Sequence, residues 1–316
     1  MKVVNGIENF DTGTPTCITV GTFDGLHIGH RKIIETLKRT SKSKNLKSVV
    51  ITFAPHPRQV LIPGVKVHFL LTQQEKQEMI ASQGIDYLVI HPFSKEFAAL
   101  TAHDFLVGKL CQYVGMQHLI KGFNNHFGCD RLSDIESMRT MGKTVGFDVT
   151  EVDAQTNGET NVSSTLARMY ISDGHIEQAN QILGYHYFIS GKVVHGRMIG
   201  RTIGFPTANI DIGNTNKLLP APGAYAAYVD INNHTMPAMM NIGSNPTVNN
   251  DDSVTYIEVH IIGFEGNIYG CNLRTHLIRR LRPELKFDNI DQLRRRLSID
   301  VSDALAIFQQ SFVQNC

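Results

Sequence analysis

The sequence predicts a chain of two domains, an α/β domain with a parallel sheet and then a small antiparallel β domain that ends in a helix. Two observations support this fold class. Apolar strand-like runs alternate with helical patterns in the first part, and short strands separated by Gly, Pro and Asn follow from near residue 185. A chain of 316 residues is long enough for about two ordinary domains. The boundary is placed near Gly184, which gives domains 1–184 and 185–316.

The first domain alternates strands with helices. Residues 16–21 and the runs "SVVITF", "IDYLVIHPF" and "MQHLIKGFNNHFG" are predicted strands, and helical patterns lie after His27, in "QEKQEMIASQG" and in "AHDFLVGKLCQYVG". This alternation is typical of a parallel sheet that is covered on both faces. Ligands of such sheets bind at the carboxyl ends of the strands. The segments "GTFDGLHIGH", "APHP" and "KGFNNHFG" all fall at such ends.

The second domain consists of short strands, among them "YFISGKVV", "GAYAAYVDI", "TMPAMMNIG", "SVTYIEVHIIGF" and "NLRTHLI". This pattern predicts a small antiparallel β-barrel or sandwich. A final helix is indicated by apolar residues that recur every three or four positions. They are Ile290, Leu293, Leu297, Val301, Leu305 and Phe308.

Composition excludes several classes of protein. The chain is 42% hydrophobic and 19% charged, which argues against disorder, and its net charge of +1 provides no field for nucleic acid or an anionic membrane. Five scattered cysteines without a C-x-x-C pair suggest free thiols in a reducing compartment. Neither a signal-peptide core nor a membrane-length apolar run is visible. We therefore expect a cytoplasmic protein.

The stretch "GTFDGLHIGH" predicts a phosphate site. A strand that leads through a glycine-rich turn into a helix directs backbone N–H groups and a helix N-terminus at one point. His27 and His30 are three residues apart and share a face of the first helical turn, and Gly29 lets a ligand approach the backbone. A metal pair is one alternative for these histidines, but no third ligand has an obvious spacing. They could also be helix-surface residues, but five constrained positions coincide at this strand–helix junction, which argues against that.

A second candidate is the stretch "NVSSTLAR". Ser163, Ser164 and Thr165 offer hydroxyl groups at a helix start, and Arg168 follows one turn later. Taken alone, this is a helix cap. Beside a phosphate site it becomes a candidate grip on the phosphate chain of a nucleotide.

The third candidate lies in the second domain, in "GKVVHGRMIGRTIGFPTANI". Thr207 and Asn209 bring hard oxygen donors that suit Mg²⁺. Glu258 lies on an alternating strand; it is either solvated or a general base, if it lies beside the P-T-A-N loop. The segment "SMRTMGKT" only approximates a phosphate loop and follows a helical pattern rather than a strand, so we treat it as unrelated to phosphate binding.

Two of these motifs resemble known families. The pattern G-x-F-D-x-x-H-x-G-H is that of the HxGH nucleotidyltransferases, and G-R-x-x-G-x-P-T-A-N resembles the loop of riboflavin kinases. Together they identify the chain as similar to the bacterial bifunctional riboflavin kinase/FMN adenylyltransferase family, also called FAD synthetases. The resemblance runs nearly end to end and includes "TFAPHPRQVL", "NQILGYHYFISGKVVHG", "NIGSNPTV" and "LRPELKFDNIDQL". It implies a Rossmann-like first domain and a kinase-type β-barrel as the second.

The resemblance implies two ATP-dependent reactions. The second domain would transfer the γ-phosphoryl group to the 5′-hydroxyl of riboflavin, and the first would adenylylate FMN to FAD and release pyrophosphate. For the kinase, Glu258 would accept the hydroxyl proton, Thr207 and Asn209 would hold Mg²⁺ and phosphates, and the remaining residues would shape the loop or the flavin site. These are Gly196, Arg201, Gly204 and Tyr225.

For adenylyl transfer, the resemblance implies that His27 and His30 stabilise the α-phosphate and that Ser164 and Arg168 hold the β- and γ-phosphates. Other residues would line the nucleotide site, namely Gly21, Phe23, Asp24, Gly29 and Asn124. The flavin would lie against Pro55, His56 and Pro57.

Two residues depart from the family pattern. Asn125 replaces an aromatic residue, and Leu166 stands where an Arg usually follows S-S-T. A kinase with a weakened or inactive adenylyltransferase therefore remains an alternative, as do a different HxGH enzyme and a non-catalytic flavin-binding protein. Two clusters of arginines, the pair at 279–280 and the triplet at 294–296, are interspersed with acidic residues. They predict solvated faces rather than an RNA site. The sequence leaves the oligomeric state open.

Overall fold

The computed structural model describes residues 1–11, 13–158, 160–196, 199–213, 215–231, 234–245 and 254–313. The chain forms two compact units, Met1–Ser164 and Thr165–Cys316. The first is an α/β unit and the second is a β-barrel with helices, which confirms the predicted fold class. None of the helices among these residues has the length and apolar character needed to cross a membrane.

The first unit is built on a parallel sheet of six strands. In chain order the strands are β1 (Lys2–Asn5), β2 (Thr16–Val20), β3 (Lys47–Phe53), β4 (Tyr87–His91), β5 (Met116–Gly122) and β6 (Asp148–Val152). In space the order is β1-β4-β3-β2-β5-β6, with all neighbours parallel. The chain moves outward from β2 through β3 to β4 and then returns to the other side of β2 for β5. The carboxyl ends of β2 and β5 therefore form a topological switch point, where such sheets bind ligands.

Helices connect these strands, and one small hairpin follows β6. They are α1 (Ile28–Ser43), α2 (Pro57–Leu61), α3 (Gln73–Ser82), α4 (Lys95–Ala98), α5 (Ala102–Phe105), a π-helical stretch (Leu106–Cys111), α6 (Gln112–Val114), α7 (Ile135–Val145), and the paired β7 (Thr156–Asn157) and β8 (Thr160–Asn161). Every residue of β2 is buried, as expected for a central strand covered on both faces. The segment "SMRTMGKT" lies inside α7 and forms no loop.

The second unit is a closed antiparallel barrel. Its elements are α8 (Ser164–Asp173), which begins at the division between the units, α9 (Ile176–Leu183), β9 (Phe188–Val194), α10 (Ile199–Thr202), β10 (Ala208–Asp211), β11 (Gly223–Ile231), β12 (His234–Asn245), β13 (Val254–Ile261), β14 (Asn272–Pro283) and α11 (Ile290–Val313). The barrel closes in the order β10-β13-β12-β11-β14-β9. The structure thus contains the barrel rather than the sandwich, and the predicted final helix is α11.

Buried ion pairs attach α11 to the barrel. Asp300 on α11 is fully buried and accepts hydrogen bonds from Arg282 of β14 at 2.8 Å and from Arg296 at 2.9 Å.

Other arginines of the basic clusters contact different elements. Arg279 pairs with Glu177 of α9 at 2.7 Å, and Arg280 donates to the Pro222 carbonyl at 2.7 Å. These arginines of the basic clusters therefore have partners within the unit.

Candidate active sites

The glycine-rich loop after β2 has an unusual backbone. Phe23, Gly25 and Leu26 have φ of 47°, 82° and 35°, in the left-handed region that residues other than glycine rarely occupy. Phe23 and Leu26 are both only 1% exposed. Burial of these two side chains compensates the strain, and strain of this kind is concentrated at functional sites.

Side chains from neighbouring elements hold this loop in place. The Asp24 carboxylate accepts backbone N–H groups of Leu70 and Leu71, at 3.0 and 3.2 Å, and is 1% exposed. The Ser164 hydroxyl donates to the Asp24 carbonyl at 2.8 Å. In this structure Asp24 and Ser164 therefore shape the loop.

Lys76 is the member of this group that the sequence did not reveal. Its Nζ donates to the Thr22 carbonyl at 2.9 Å, and the residue is 6% exposed. It lies in the polar run "QQEKQE" at the start of α3. Nothing in that pattern signals a buried lysine.

His27 and His30 lie together where α1 begins. His27 is the N-cap of the helix, and its Nδ1 accepts the His30 backbone N–H at 3.3 Å. The two rings stack at 3.7 Å, and a Cβ at Gly29 would lie 3.2 Å from the His27 ring. Gly21 makes similar room for the ring of Phe23, where a Cβ would lie 3.1 Å from it. The glycines thus permit this close packing.

Burial sets the charge of both imidazoles. It lowers the pKa of His27 to about 4 against the attraction of Asp24, and it lowers the pKa of His30 well below the ordinary value, with further lowering by His27 and Lys76. Both rings are therefore neutral at pH 7. Because Nδ1 of His27 is an acceptor, the ring proton lies on Nε2 and is available to an external anion.

Asn125 is at the switch point. Its side-chain Nδ2 donates to the Val20 carbonyl at 2.9 Å and so joins the carboxyl end of β2 to the loop after β5. Asn124, the predicted nucleotide-site residue, is exposed, and its carbonyl contacts His126 Nδ1 at 2.9 Å. Arg168 is half-buried on α8, one turn after Ser164, with Leu166 between them.

The predicted flavin residues lie after β3, where an aromatic cluster also forms. Pro55 is exposed, His56 caps α2 by accepting the Arg58 backbone N–H at 3.1 Å, and Pro57 is the first residue of that helix. Three half-buried rings pack together at the carboxyl ends of β3 and β4, with centroids 5.4–5.6 Å apart. They belong to Phe53, Phe93 and Phe97. The sequence offered no signal for this cluster beyond the aromatic residue types.

In the barrel, strand register brings the predicted kinase residues together. Glu258 on β13 is paired with Asn209 on β10 and with Asn241 on β12. Glu258 is half-buried, and burial raises the pKa of its carboxyl group. The neighbouring Ile257 and Val259 point to the opposite face and are buried. The alternation predicted for this strand is thus present.

Two cavities adjoin this register. One of about 450 Å³ is lined by Gly196, Thr207, Asn209, Glu258 and, from α11, Leu293 and Leu297. Another of about 310 Å³ is lined by Arg201, Thr207 and Tyr269. Thr207 lines both cavities, so this one residue adjoins two spaces that two substrates could fill.

The loop between β9 and β10 closes tightly on Asn209. A Cβ at Gly196 would overlap the Asn209 side-chain amide, so only glycine fits there without displacing it. Gly204 has φ of 89°, where glycine is favoured, and Arg201 is exposed. The intervening Arg197 and Met198 of the predicted motif, like residues 246–248 of "NIGSNPTV", lie outside the described residues.

The oxygen donors in this site suit Mg²⁺. Thr207, Asn209 and Glu258 line one cavity with a hydroxyl, an amide and a carboxylate, and Mg²⁺ prefers such ligands, usually few in number and completed by water and substrate phosphates. Within the described ranges, no cluster of three or more His, Cys, Asp and Glu side chains could hold a metal ion. His27 and His30 therefore lack a third ligand of these types there.

Tyr225 is not brought to either cavity. Its side chain is fully buried in the barrel, and its hydroxyl donates to the Ala221 carbonyl. Burial raises the pKa of this phenol to about 12. In this structure Tyr225 is a core residue, while its neighbour Ala224 lines the larger cavity.

Comparisons with known proteins match the two regions of the chain to two different family models. A family model described as FAD synthetase matches residues 10–166, and one described as riboflavin kinase matches residues 183–308. A crystal structure described as a macrolide-efflux protein from Streptococcus pneumoniae has a TM-score of 0.87 and 29% identity, and the match covers 95% of this chain and 97% of that one.

Two curated relatives are named bifunctional riboflavin kinase/FMN adenylyltransferase. The protein from Escherichia coli K12 is 32% identical over 98% of both chains. The protein from Listeria monocytogenes is 37% identical over 92% of both chains. With a matching family model over each of its two regions, the chain belongs to the family of bifunctional riboflavin kinases/FMN adenylyltransferases.

Proposed function

We propose that the barrel unit phosphorylates riboflavin to FMN and that the sheet unit adenylylates FMN to FAD, with release of pyrophosphate. The observation that carries this proposal is that each unit contains its own candidate site and matches its own family model. The functional boundary at Gly184 stays a prediction, because the compact units divide at Ser164 whereas the family models leave residues 167–182 unmatched. The cytoplasmic location also stays a prediction.

In the kinase site, Glu258 accepts the proton of the riboflavin 5′-hydroxyl. Its raised pKa makes it a better proton acceptor than an exposed carboxylate. The hydroxyl oxygen then attacks the γ-phosphorus, and ADP leaves. Because Thr207 lines both cavities, we assign the smaller cavity to ATP and the larger one, which is closed by apolar residues of α11, to the flavin.

Thr207 and Asn209 would hold Mg²⁺ in that site. When bound, the ion neutralises charge on the transferring phosphates. The protein's own contribution is orientation, because the close contact of Gly196 fixes the Asn209 amide beside Glu258.

In the adenylyl-transfer site the chemistry needs no strong base, because the phosphate of FMN is already ionised. Catalysis then rests on positioning and on stabilising the charge that develops at the α-phosphate. His27 supplies an Nε2–H donor at the N-terminus of α1, where the helix dipole also favours an anion. Ser164 and Arg168 are assigned to the β- and γ-phosphates, and the Ser164 hydroxyl would have to turn from the Asp24 carbonyl to donate to a phosphate oxygen. The phenylalanine cluster near Pro55–Pro57 offers an apolar surface for the flavin ring.

The departures at Asn125 and Leu166 raised the alternative of a kinase without adenylyltransferase activity. Asn125 does not leave a gap, because its amide bonds to the Val20 carbonyl and keeps the two sides of the switch point joined. We therefore expect both reactions.

The test is chromatography of flavins over time, with the protein, riboflavin and Mg-ATP. FMN should appear first and FAD should follow. FMN that accumulates without FAD would support the kinase-only alternative, and absence of both products would support a flavin-binding protein without catalysis.

A further inference from the structure

A buried lysine contacts the glycine-rich loop but has no role in the reaction described above. Lys76 is 6% exposed, and its Nζ donates to the Thr22 carbonyl at 2.9 Å. Thr22 is the second residue of "GTFD", the loop that leads to His27. Burying an ammonium group is costly unless other groups compensate for the lost water. The position therefore calls for a reason.

The contact fixes the orientation of one peptide group. The Thr22 carbonyl accepts from Lys76 Nζ and also from the Thr52 hydroxyl, at 3.2 Å. In a planar trans peptide the N–H points away from the carbonyl oxygen, so the Phe23 N–H points away from Lys76. Among the described residues the Phe23 N–H donates to no acceptor. A backbone donor is thus left free next to a fixed cation.

The charged surroundings of Lys76 belong to the same site. The Asp24 carboxylate attracts the ammonium, whereas burial is the larger effect and lowers the pKa of Lys76. On the α1 side, the positive charge of Lys76 adds to the effects of burial and His27 in lowering the pKa of His30. His30 Nδ1 is buried and has no hydrogen-bond partner in the described part of the chain. A cation, a free backbone N–H and a neutral imidazole without a partner are what a bound phosphate would complete.

We propose that Lys76 is a positioning residue for adenylyl transfer: it fixes the Thr22–Phe23 peptide with the Phe23 N–H free for a phosphate oxygen of ATP, and it places a positive charge behind that peptide. This inference rests on the proposed adenylyltransferase function of the unit. Because Lys76 and Asp24 are only 6% and 1% exposed, a charge there is screened less than a charge at the surface.

The experiment compares Lys76→Met with Lys76→Gln, using FMN and Mg-ATP and measuring initial rates of FAD formation. Met removes the charge and the donor, whereas Gln removes the charge and keeps an N–H donor. We expect kcat/KM for ATP to fall by about 10²-fold or more in both variants, the size of loss typical for a preorganised electrostatic group. Lys38→Met, which changes an exposed lysine of α1, should leave the rate unchanged.

The pH profile separates a charge role from a merely structural one. In the native protein, adenylyl transfer should decline at alkaline pH, with a midpoint below the ordinary lysine value of 10.5, as Lys76 loses its proton. Both variants should lack that decline. A Gln variant that recovers most of the native rate, or a variant that keeps the alkaline decline, would overturn the proposal.

Two further measurements keep the outcome clear. Far-UV circular dichroism and the melting temperature show whether the Met variant is folded; if it is not, the Gln variant and its pH profile decide. If His30→Ala loses FAD formation but Lys76→Met does not, only the role of Lys76 is refuted. If neither change affects FAD formation, the proposed adenylyltransferase site is refuted as well.

Discussion

At the scale of single residues, burial decides the chemistry of the paired imidazoles. His27 and His30 stack at 3.7 Å, and two protonated rings at that distance would repel each other. The low pKa of each ring avoids this charge, and we expect the rings to act instead as neutral hydrogen-bond donors. In the proposed mechanism, N–H groups, the helix dipole and Lys76 would then stabilise an incoming phosphate.

Replacing one of these rings should separate the two activities. We expect His30→Ala to lower FAD formation from FMN by about 10²–10³-fold or more, because a preorganised donor is lost. FMN formation from riboflavin should stay intact, since Glu258 and Asn209 lie in the other unit. Both rates are measured on the same preparation. Loss of FMN formation as well would contradict the independence of the sites.

A histidine outside both sites should make stability depend on pH. His276 stacks on Tyr228 with ring centroids 4.6 Å apart, and burial lowers its pKa to about 4 from 6.5, against the attraction of Asp230. The unfolded chain therefore binds more protons than the folded one between these values, and the free energy of unfolding falls as the pH falls through this window. Urea unfolding at about pH 7 and about pH 5 should show a smaller loss of stability in His276→Gln than in the native chain. An equal loss in both would count against this contribution.

At the scale of elements, the sequence predicts strands and helices better than it predicts which neighbours they meet. The strands of the sheet are short apolar runs, and α11 has apolar residues at helical spacing, so both were predictable. The β2–β5 contact was not, because it joins residues far apart in sequence. Lys76 lies in a polar run of α3, and Asp300 lies between Ile299 and Val301 of α11; the burial of each depends on what the fold packs against it. The role of Asn125 follows from the same non-local contact.

The attachment of α11 gives a test at this scale. Asp300→Ala should lower the free energy of unfolding by about 3–5 kcal/mol, because it leaves Arg282 buried without its partner. Since Leu293 and Leu297 of α11 line the larger cavity, the KM for riboflavin should also rise. Urea unfolding and FMN-formation kinetics measure the two effects. Asp303→Ala, an exposed carboxylate three residues later on α11, is the matched control and should change neither. An unchanged stability in Asp300→Ala would show that the ion pairs do not hold the helix.

At the scale of the whole molecule, the chain combines two ATP-dependent sites, and the product of one is the substrate of the other. The paired imidazoles lie in the first unit, and Glu258 and Asn209 lie in the second. The kinase site depends on the pairing of β10 with β13, and the adenylyl-transfer site depends on the glycine-rich loop after β2. We therefore expect that FMN made at one site can be released and used at the other site of a different molecule.

Mixing two variants that each lack one of the two activities tests this directly. Glu258→Gln should make no FMN from riboflavin but should still convert added FMN to FAD, and His30→Ala should make FMN only. A mixture of both, given riboflavin and Mg-ATP, should form FAD after a lag during which free FMN accumulates, because FMN must diffuse between molecules. The lag should shorten as the concentration of His30→Ala, which makes the FMN, is raised. FMN added at the start should abolish the lag. If the mixture forms no FAD while each variant keeps its remaining activity, FMN does not leave the kinase site, and the two reactions are coupled within one molecule.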